Sequence, residues 1–172
     1  LEVIEAKELF NLPCSQIKVR IHPESCVHSF VRTRENSLYA QISSPDMRIP
    51  IQNALSYPDL LESPFGSLEL DGLSLHFYKP DMAKYPLLSL AYRAADSGGT
   101  YPLAYNASNE VAVEAFIEGR IRYLDIQKVV SNTLEWDWSF LLSSFEEVIE
   151  KDSEARRHAS QIVQNIQVQN TQ

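Results

Sequence analysis

Apolar residues recur along this chain with two periods, and the switches between them outline its elements. Leu1, Val3, Ile4, Leu9 and Phe10 fall at helical spacing, and Asn11-Leu12-Pro13 stops the helix they predict. Ile17, Val19 and Ile21 then alternate with Lys18, Arg20 and His22, which predicts a strand with one buried face. Pro23-Glu24-Ser25 interrupts it. Strands are expected over about 27–33 and 37–42, joined at Arg34-Glu35-Asn36 as an antiparallel hairpin. A loop at Ser43-Ser44-Pro45-Asp46 leads to a short helix near 50–55.

Residues 57–84 hold prolines at 58, 64 and 80 and alternate only loosely, so they read as a surface-crossing linker with some extended structure. From Tyr85 the period is helical. Pro86 suits a first turn, Leu87, Leu88, Leu90 and Ala91 follow, and Gly98-Gly99 closes the segment. Pro102 opens a second helix that Gly119 stops, with Ala104, Val111, Val113, Ala115, Phe116 and Ile117 as its apolar positions. A third is expected over about 125–135 through Ile126, Val129, Val130 and Leu134. Ser144-Phe145-Glu146-Glu147 is a capping-box pattern that opens a fourth, reaching about residue 166 before a polar, frayed tail. The predicted class is α+β. Antiparallel strands with helices occupy 1–56, a linker 57–84, and a four-helix bundle 85–172.

Charge and composition narrow the function classes. The net charge of −8 would repel a nucleic-acid backbone. The one compact basic cluster, Arg156-Arg157-His158, has the spacing of a solvated helix face. No apolar run reaches the roughly 18 residues of a membrane span. The three glutamates within the first ten residues do not fit a secretory signal. Cys14 and Cys26 are too few for a disulfide framework and read as reduced thiols. Without such a signal, Asn106-Ala107-Ser108 is a chance match to a glycosylation acceptor. The chain opens at Leu1, in helix-like sequence with no capping residue before it, which is the pattern expected inside a longer chain.

Candidate chemistry is sparse on spacing alone. Asn106, Asn109 and Glu110 share a helix face and are expected to lock that helix against the first part of the chain. Trp136, Trp138 and Phe140 read as core or interface aromatics. Ser25 and His28 flank the break between strands, and His22 precedes Pro23. Such positions line sites in some folds and are structural in others. No nucleophile or acid stands at triad spacing, and no HExxH, paired-cysteine or Gly-rich phosphate motif occurs. Composition and spacing therefore name no reaction.

Longer blocks say more. LEVIEA at 1–6, IHPESCVHS at 21–29, AQISSPDMRIPIQNALSYP at 40–58, YNASNEVAVEAF at 105–116 and GRIRYLDI at 119–126 occur in this order. Together they closely resemble the 1-deoxy-D-xylulose 5-phosphate reductoisomerases of the non-mevalonate isoprenoid pathway. The resemblance implies conversion of 1-deoxy-D-xylulose 5-phosphate to 2-C-methyl-D-erythritol 4-phosphate, by rearrangement and hydride transfer from NADPH, with Mg²⁺ or Mn²⁺. By the same resemblance Glu2 matches a metal-binding carboxylate that also touches substrate. His28 matches an active-site histidine, and Ser25 a nearby polar position. Pro45 and Met47 match residues that wall the nicotinamide and substrate pocket. It implies a homodimer to which the first-part strands contribute, with the bundle bracing the catalytic domain.

The family's dinucleotide-binding domain, its Asp-Ser-Glu segment, its active-site flap and its phosphate-gripping Asn-Lys pair should lie before Leu1. No cofactor-binding residue is therefore assigned here. One carboxylate does not hold Mg²⁺ against water, so the chain alone is expected to be inactive and to bind neither NADPH nor metal usefully. The expected partners are a phosphosugar and a second subunit, with no nucleic acid or membrane, in bacterial cytoplasm or a plastid. The competing reading is a stand-alone helical interaction or dimerisation module without catalytic activity.

Overall fold

The structure, a computed structural model, describes residues 1–170. Its elements in chain order are α1 (Glu2–Phe10), β1 (Val27–Arg32), β2 (Leu38–Ile42), α2 (Arg48–Ser56), α3 (Pro86–Ser97), α4 (Tyr101–Ile117), α5 (Asp125–Thr133) and α6 (Phe145–Asn170), with a 3-10 turn at Cys14–Gln16. They form two compact units. One joins Leu1–Val19 to the chain from Pro80 onward, and the other is Arg20–Lys79. In the first of these units α1 packs on α3, burying Val3 and Ile4.

In the first unit, α3 to α6 form the bundle, and small side chains line its contacts. Ala91, Ala94 and Ala95 on α3, Ala104, Ala107, Ala112 and Ala115 on α4, and Ala155 and Ala159 on α6 are all buried. Interaxial distance follows side-chain size, so alanine faces draw the helices close. Ser108 lies among the buried α4 residues and satisfies its hydroxyl internally, on the carbonyls of Ala104 and Tyr105. One core gathers Ile4, Ala91, Tyr105, Val130 and Trp138; a second gathers Ala115, Ile126, Val129, Ala159 and Val163.

Trp138 anchors the irregular stretch between α5 and α6. It is 1% exposed, and its indole N–H donates to the Thr133 carbonyl at 2.8 Å. Its own carbonyl accepts from the backbone N–H and the hydroxyl of Thr100, at 2.8 and 3.0 Å. Gly99 makes this approach possible. Its φ is +53°, and a Cβ there would stand 2.8 Å from the Trp138 carbonyl oxygen and 3.1 Å from that of Phe140. Gly99→Ala is therefore expected to cost about 2–4 kcal/mol, combining left-handed strain with a displaced backbone. Gly119→Ala, where φ is +72° and the space is open, should cost only about 1 kcal/mol. Urea unfolding of the two variants checks the difference.

The first turn of α5 carries Asp125, a carboxylate with a 2% exposed side chain. It accepts from the Arg122 backbone N–H at 3.0 Å and from Lys128 Nζ at 2.6 Å. Lys128 is the main reason its carboxyl titrates below the usual aspartate range. A depressed native pKa stabilises the fold above the unfolded value, near 4 for aspartate, and that contribution is lost as pH falls through the native value. Asp125→Asn should thus flatten the fall in stability below about pH 4, which denaturant titrations at stepped pH would show.

Several expectations need correction. Residues 17–22 form no strand. The Ile17 carbonyl accepts from the Tyr92 hydroxyl, and Ile21 pairs with Tyr78 as an isolated bridge, so among the described residues this segment joins no sheet. Leu9 and Phe10 are exposed, not core. Trp138 is core, but Trp136 lies half-open with its ring centroid 3.9 Å from that of His158. Arg156 is not merely solvated; it bridges Asp152 on its own helix and Glu110 on α4, each at 2.6 Å. Asn106 supports the same Glu110, so this polar face locks α4 to α6 and not to the first part of the chain. The helix expected to end near 166 continues through Asn170, and the rest of the tail lies outside the described residues.

The second unit is built on the hairpin. Val27 pairs with Ile42 and Arg32 with Leu38, with a bulge between Val27 and Ser29. Every position of the two strands except Val27 is exposed, and α2 buries no residue.

Candidate functional site

The antiparallel register decides which candidates meet. Because β1 starts where β2 ends, the chain before Val27 and the chain after Ile42 lie at the open end of one hairpin. The Ser43 backbone N–H donates to the Cys26 carbonyl at 3.0 Å and extends that closure by one step. Ser25, His28, Pro45 and Met47 thus all belong to this end of the second unit. Glu2 belongs to the other unit, as an exposed residue in the first turn of α1.

His28 is exposed on β1, with Nε2 2.9 Å from Ser43 Oγ. The Ser43 hydroxyl in turn lies 3.2 Å from the Ser44 carbonyl oxygen. Ser25 takes a φ of 55°, and its backbone N–H closes a turn onto the His22 carbonyl. Pro45 and Met47 flank Asp46, which fixes the loop. Asp46 accepts from the Arg48 backbone N–H at 2.9 Å and from its guanidinium at 3.0 and 2.6 Å, opening α2. That pairing holds the Asp46 carboxyl at about 2. Met47 is left 72% exposed, an apolar side chain held out by a rigid ion-paired turn.

Behind this end sits a network that spacing did not reveal. His22 Nδ1 lies 2.8 Å from the His76 carbonyl oxygen and 3.0 Å from Glu24 Oε2. Both neighbours only accept, so Nδ1 carries a proton. Cys26 Sγ lies 3.6 Å from Nε2, and the His22 ring stacks on Phe77 at 4.5 Å. Glu24 also accepts from His76 Nδ1 at 2.6 Å, which is the main cause of its carboxyl titrating at about 2. Cysteine, histidine and glutamate in series resemble a nucleophilic triad, but Cys26 is only 3% exposed. No substrate reaches it, so the cluster is structural: it fixes the Pro23-Glu24-Ser25 turn from which Ser25 projects. The signal in the sequence was the partner His76, 54 residues from His22 and invisible to local spacing.

Among the described residues no three His, Cys, Asp or Glu side chains gather to hold a metal. The residues present therefore do not build a magnesium site by themselves. Glu2 offers one hard oxygen donor, as such an ion prefers. Also among the described residues, no helix is long and apolar enough to cross a membrane. Cys14 and Cys26 are both free and buried.

The α+β fold and the sequence together match the C-terminal part of one class of enzyme. The family model described as the DXP reductoisomerase C-terminal domain matches residues 42–158. The chain belongs to the 1-deoxy-D-xylulose 5-phosphate reductoisomerase family. It is 45% identical over 164 residues to the reductoisomerase of Geobacter sp. (strain M21), which spans 95% of this chain and 43% of that protein. With the Pelotomaculum thermopropionicum enzyme the identity is 46% over 167 residues, again 43% of the relative's length. Among solved structures, the Zymomonas mobilis reductoisomerase in complex with NADPH superposes with a TM-score of 0.89 at 41% identity, covering 94% of this chain and 43% of that one. A reductoisomerase in complex with NADPH, fosmidomycin and magnesium gives 0.85 at 37% identity, covering 95% and 42%. The chain thus spans less than half the length of the proteins it matches.

Proposed function

We propose that this chain is the C-terminal portion of an NADPH- and divalent-metal-dependent reductoisomerase acting on 1-deoxy-D-xylulose 5-phosphate. The observation that carries this reading is the family match along nearly the whole chain, including relatives solved with NADPH and magnesium. NADPH would supply the hydride, and Mg²⁺ or Mn²⁺ a Lewis acid for the carbonyl. This chain's own part is to hold and orient. Glu2 contributes a carboxylate from α1 to the metal and substrate. His28 contributes an imidazole at the hairpin end, and Ser25 a hydroxyl beside it. Pro45 and Met47 present an apolar wall that excludes water from the nicotinamide and substrate. The remaining metal ligands and the dinucleotide-binding residues belong to sequence outside this chain.

Surface composition supports that arrangement. Val31, Tyr39, Met47 and Leu55 of the second unit are each more than half exposed, an apolar area of the kind another part of a protein covers. In this reading residues 1–56 belong to the catalytic domain, 57–84 are a linker, and 85–172 are the helical domain. The hairpin faces a second subunit in a homodimer working in bacterial cytoplasm or a plastid.

Complementation tests the proposal. The part of the Geobacter enzyme that precedes its match to Leu1 is joined to this chain and expressed in a bacterium whose own reductoisomerase gene is deleted. Growth without supplied methylerythritol is the expected result. A hybrid that accumulates in soluble form yet never supports growth, where the intact Geobacter enzyme does, would overturn the reading.

A further inference from the structure

Ser43 stands where one hydroxyl proton must serve two neighbours. Its oxygen is 2.9 Å from His28 Nε2 and 3.2 Å from the Ser44 carbonyl oxygen. The Ser43 hydroxyl donates to the Ser44 carbonyl oxygen. The Ser43 lone pair is then directed at His28, and it can be satisfied only if Nε2 carries a hydrogen. The backbone leaves little freedom in this relay. The Ser43 N–H is tied to the Cys26 carbonyl at 3.0 Å, two residues before His28 on the opposite strand. The Ser43 side chain is half-buried while His28 is exposed, so the serine is the fixed partner and the imidazole the one being held. No described residue bonds Nδ1 of His28.

We propose that Ser43 is a positioning residue that fixes both the ring orientation and the tautomer of His28. In the neutral ring it places the proton on Nε2 and leaves Nδ1 as a hydrogen-bond acceptor. The group Nδ1 would take is a hydroxyl of a polyol phosphate substrate, which donates to an unprotonated ring nitrogen. Ser43 itself touches no substrate; it acts through His28. This deepens the proposed function and rests on it for the identity of the substrate, while the tautomer is a property of the chain itself.

The two levels are tested separately. Long-range ¹⁵N–¹H correlation on the 172-residue chain, at a pH where the ring is neutral, should show His28 protonated on Nε2. In Ser43→Ala the two ring nitrogens should move toward averaged tautomers, and Ser43→Thr, which keeps the hydroxyl, should restore the wild-type pattern. His28 with its proton on Nδ1 in the wild type, or a pattern unchanged by Ser43→Ala, overturns the inference. In the Geobacter hybrid, Ser43→Ala should lower kcat/KM by about ten- to a hundredfold, with recovery in Ser43→Thr. An active wild-type hybrid with an equally active Ser43→Ala variant overturns the positioning role alone. A wild-type hybrid that is folded but inactive overturns the proposed function, and the positioning role falls with it.

Discussion

Glu2→Gln in the completed enzyme is expected to lower kcat/KM by at least about a thousandfold, an effect of roughly 4 kcal/mol on the transition state. The substitution keeps the shape of the side chain and removes only its charge, at an exposed position in the first turn of α1. A hard divalent cation held by few anionic oxygens depends strongly on each. The loss should therefore shrink as Mg²⁺ or Mn²⁺ is raised, because weakened metal affinity is recovered by mass action. Glu5→Gln, on the same exposed stretch of helix, should change the rate by less than about twofold, since an exposed charge makes little difference. Steady-state kinetics at several metal concentrations separates the two. Equal and metal-independent losses in both variants would remove Glu2 from the metal.

The second large effect is on stability. Trp138→Ala should destabilise the helical unit by about 3–5 kcal/mol, a large share of the roughly 5–15 kcal/mol that a domain possesses. Trp138 is part of the core that holds Ala91, Tyr105, Val130 and Leu134, and its removal leaves the Thr133 carbonyl without its indole donor. Trp136→Ala should cost only about 1 kcal/mol, the worth of one ring contact, because its ring is already half-open to water and packs chiefly on His158. Urea unfolding followed by far-UV circular dichroism measures both. Equal costs would mean that Trp138 is not the anchor of that stretch.

How much of this was readable in advance differs between the two units. The bundle was legible because its helices are bounded by residues with one physical meaning each. Pro86 and Pro102 sit in first turns, and Gly98, Gly99 and Gly119 take positive φ at ends. The Ser144 hydroxyl accepts from the Glu147 N–H as a local cap, while the Glu147 carboxylate reaches Ser143. Such signals act within a few residues, which is the range over which sequence pattern operates.

The hairpin was equally legible, because a turn at Asn36, with φ 67°, separates two β-rich runs. The segment 17–22 was not. Its alternation is that of a strand, but a strand also needs a neighbour, and Ile17 spends its carbonyl on Tyr92, 75 residues away. The same limit hid the His22–Glu24–His76 cluster, where His76 lies 52 and 54 residues from its partners, and the Glu110–Arg156 clamp, whose members lie 46 apart. At the candidate site, spacing alone raised Ser25 and His28 without a role, and family resemblance supplied Glu2, Pro45 and Met47. The support those residues receive from Ser43 and Arg48 comes from the folded loop, where a bulged hairpin and an ion-paired turn bring short polar side chains to fixed positions.

The most direct measurement follows NADPH absorbance when the purified Geobacter hybrid is given 1-deoxy-D-xylulose 5-phosphate and Mg²⁺. Oxidation of NADPH that requires both the sugar phosphate and the metal, and that falls by about a thousandfold in Glu2→Gln, is the expected result. A hybrid that is folded, dimeric and able to bind NADPH, yet oxidises none of it under conditions where the intact Geobacter enzyme turns over, would contradict the claim that this chain completes a reductoisomerase site.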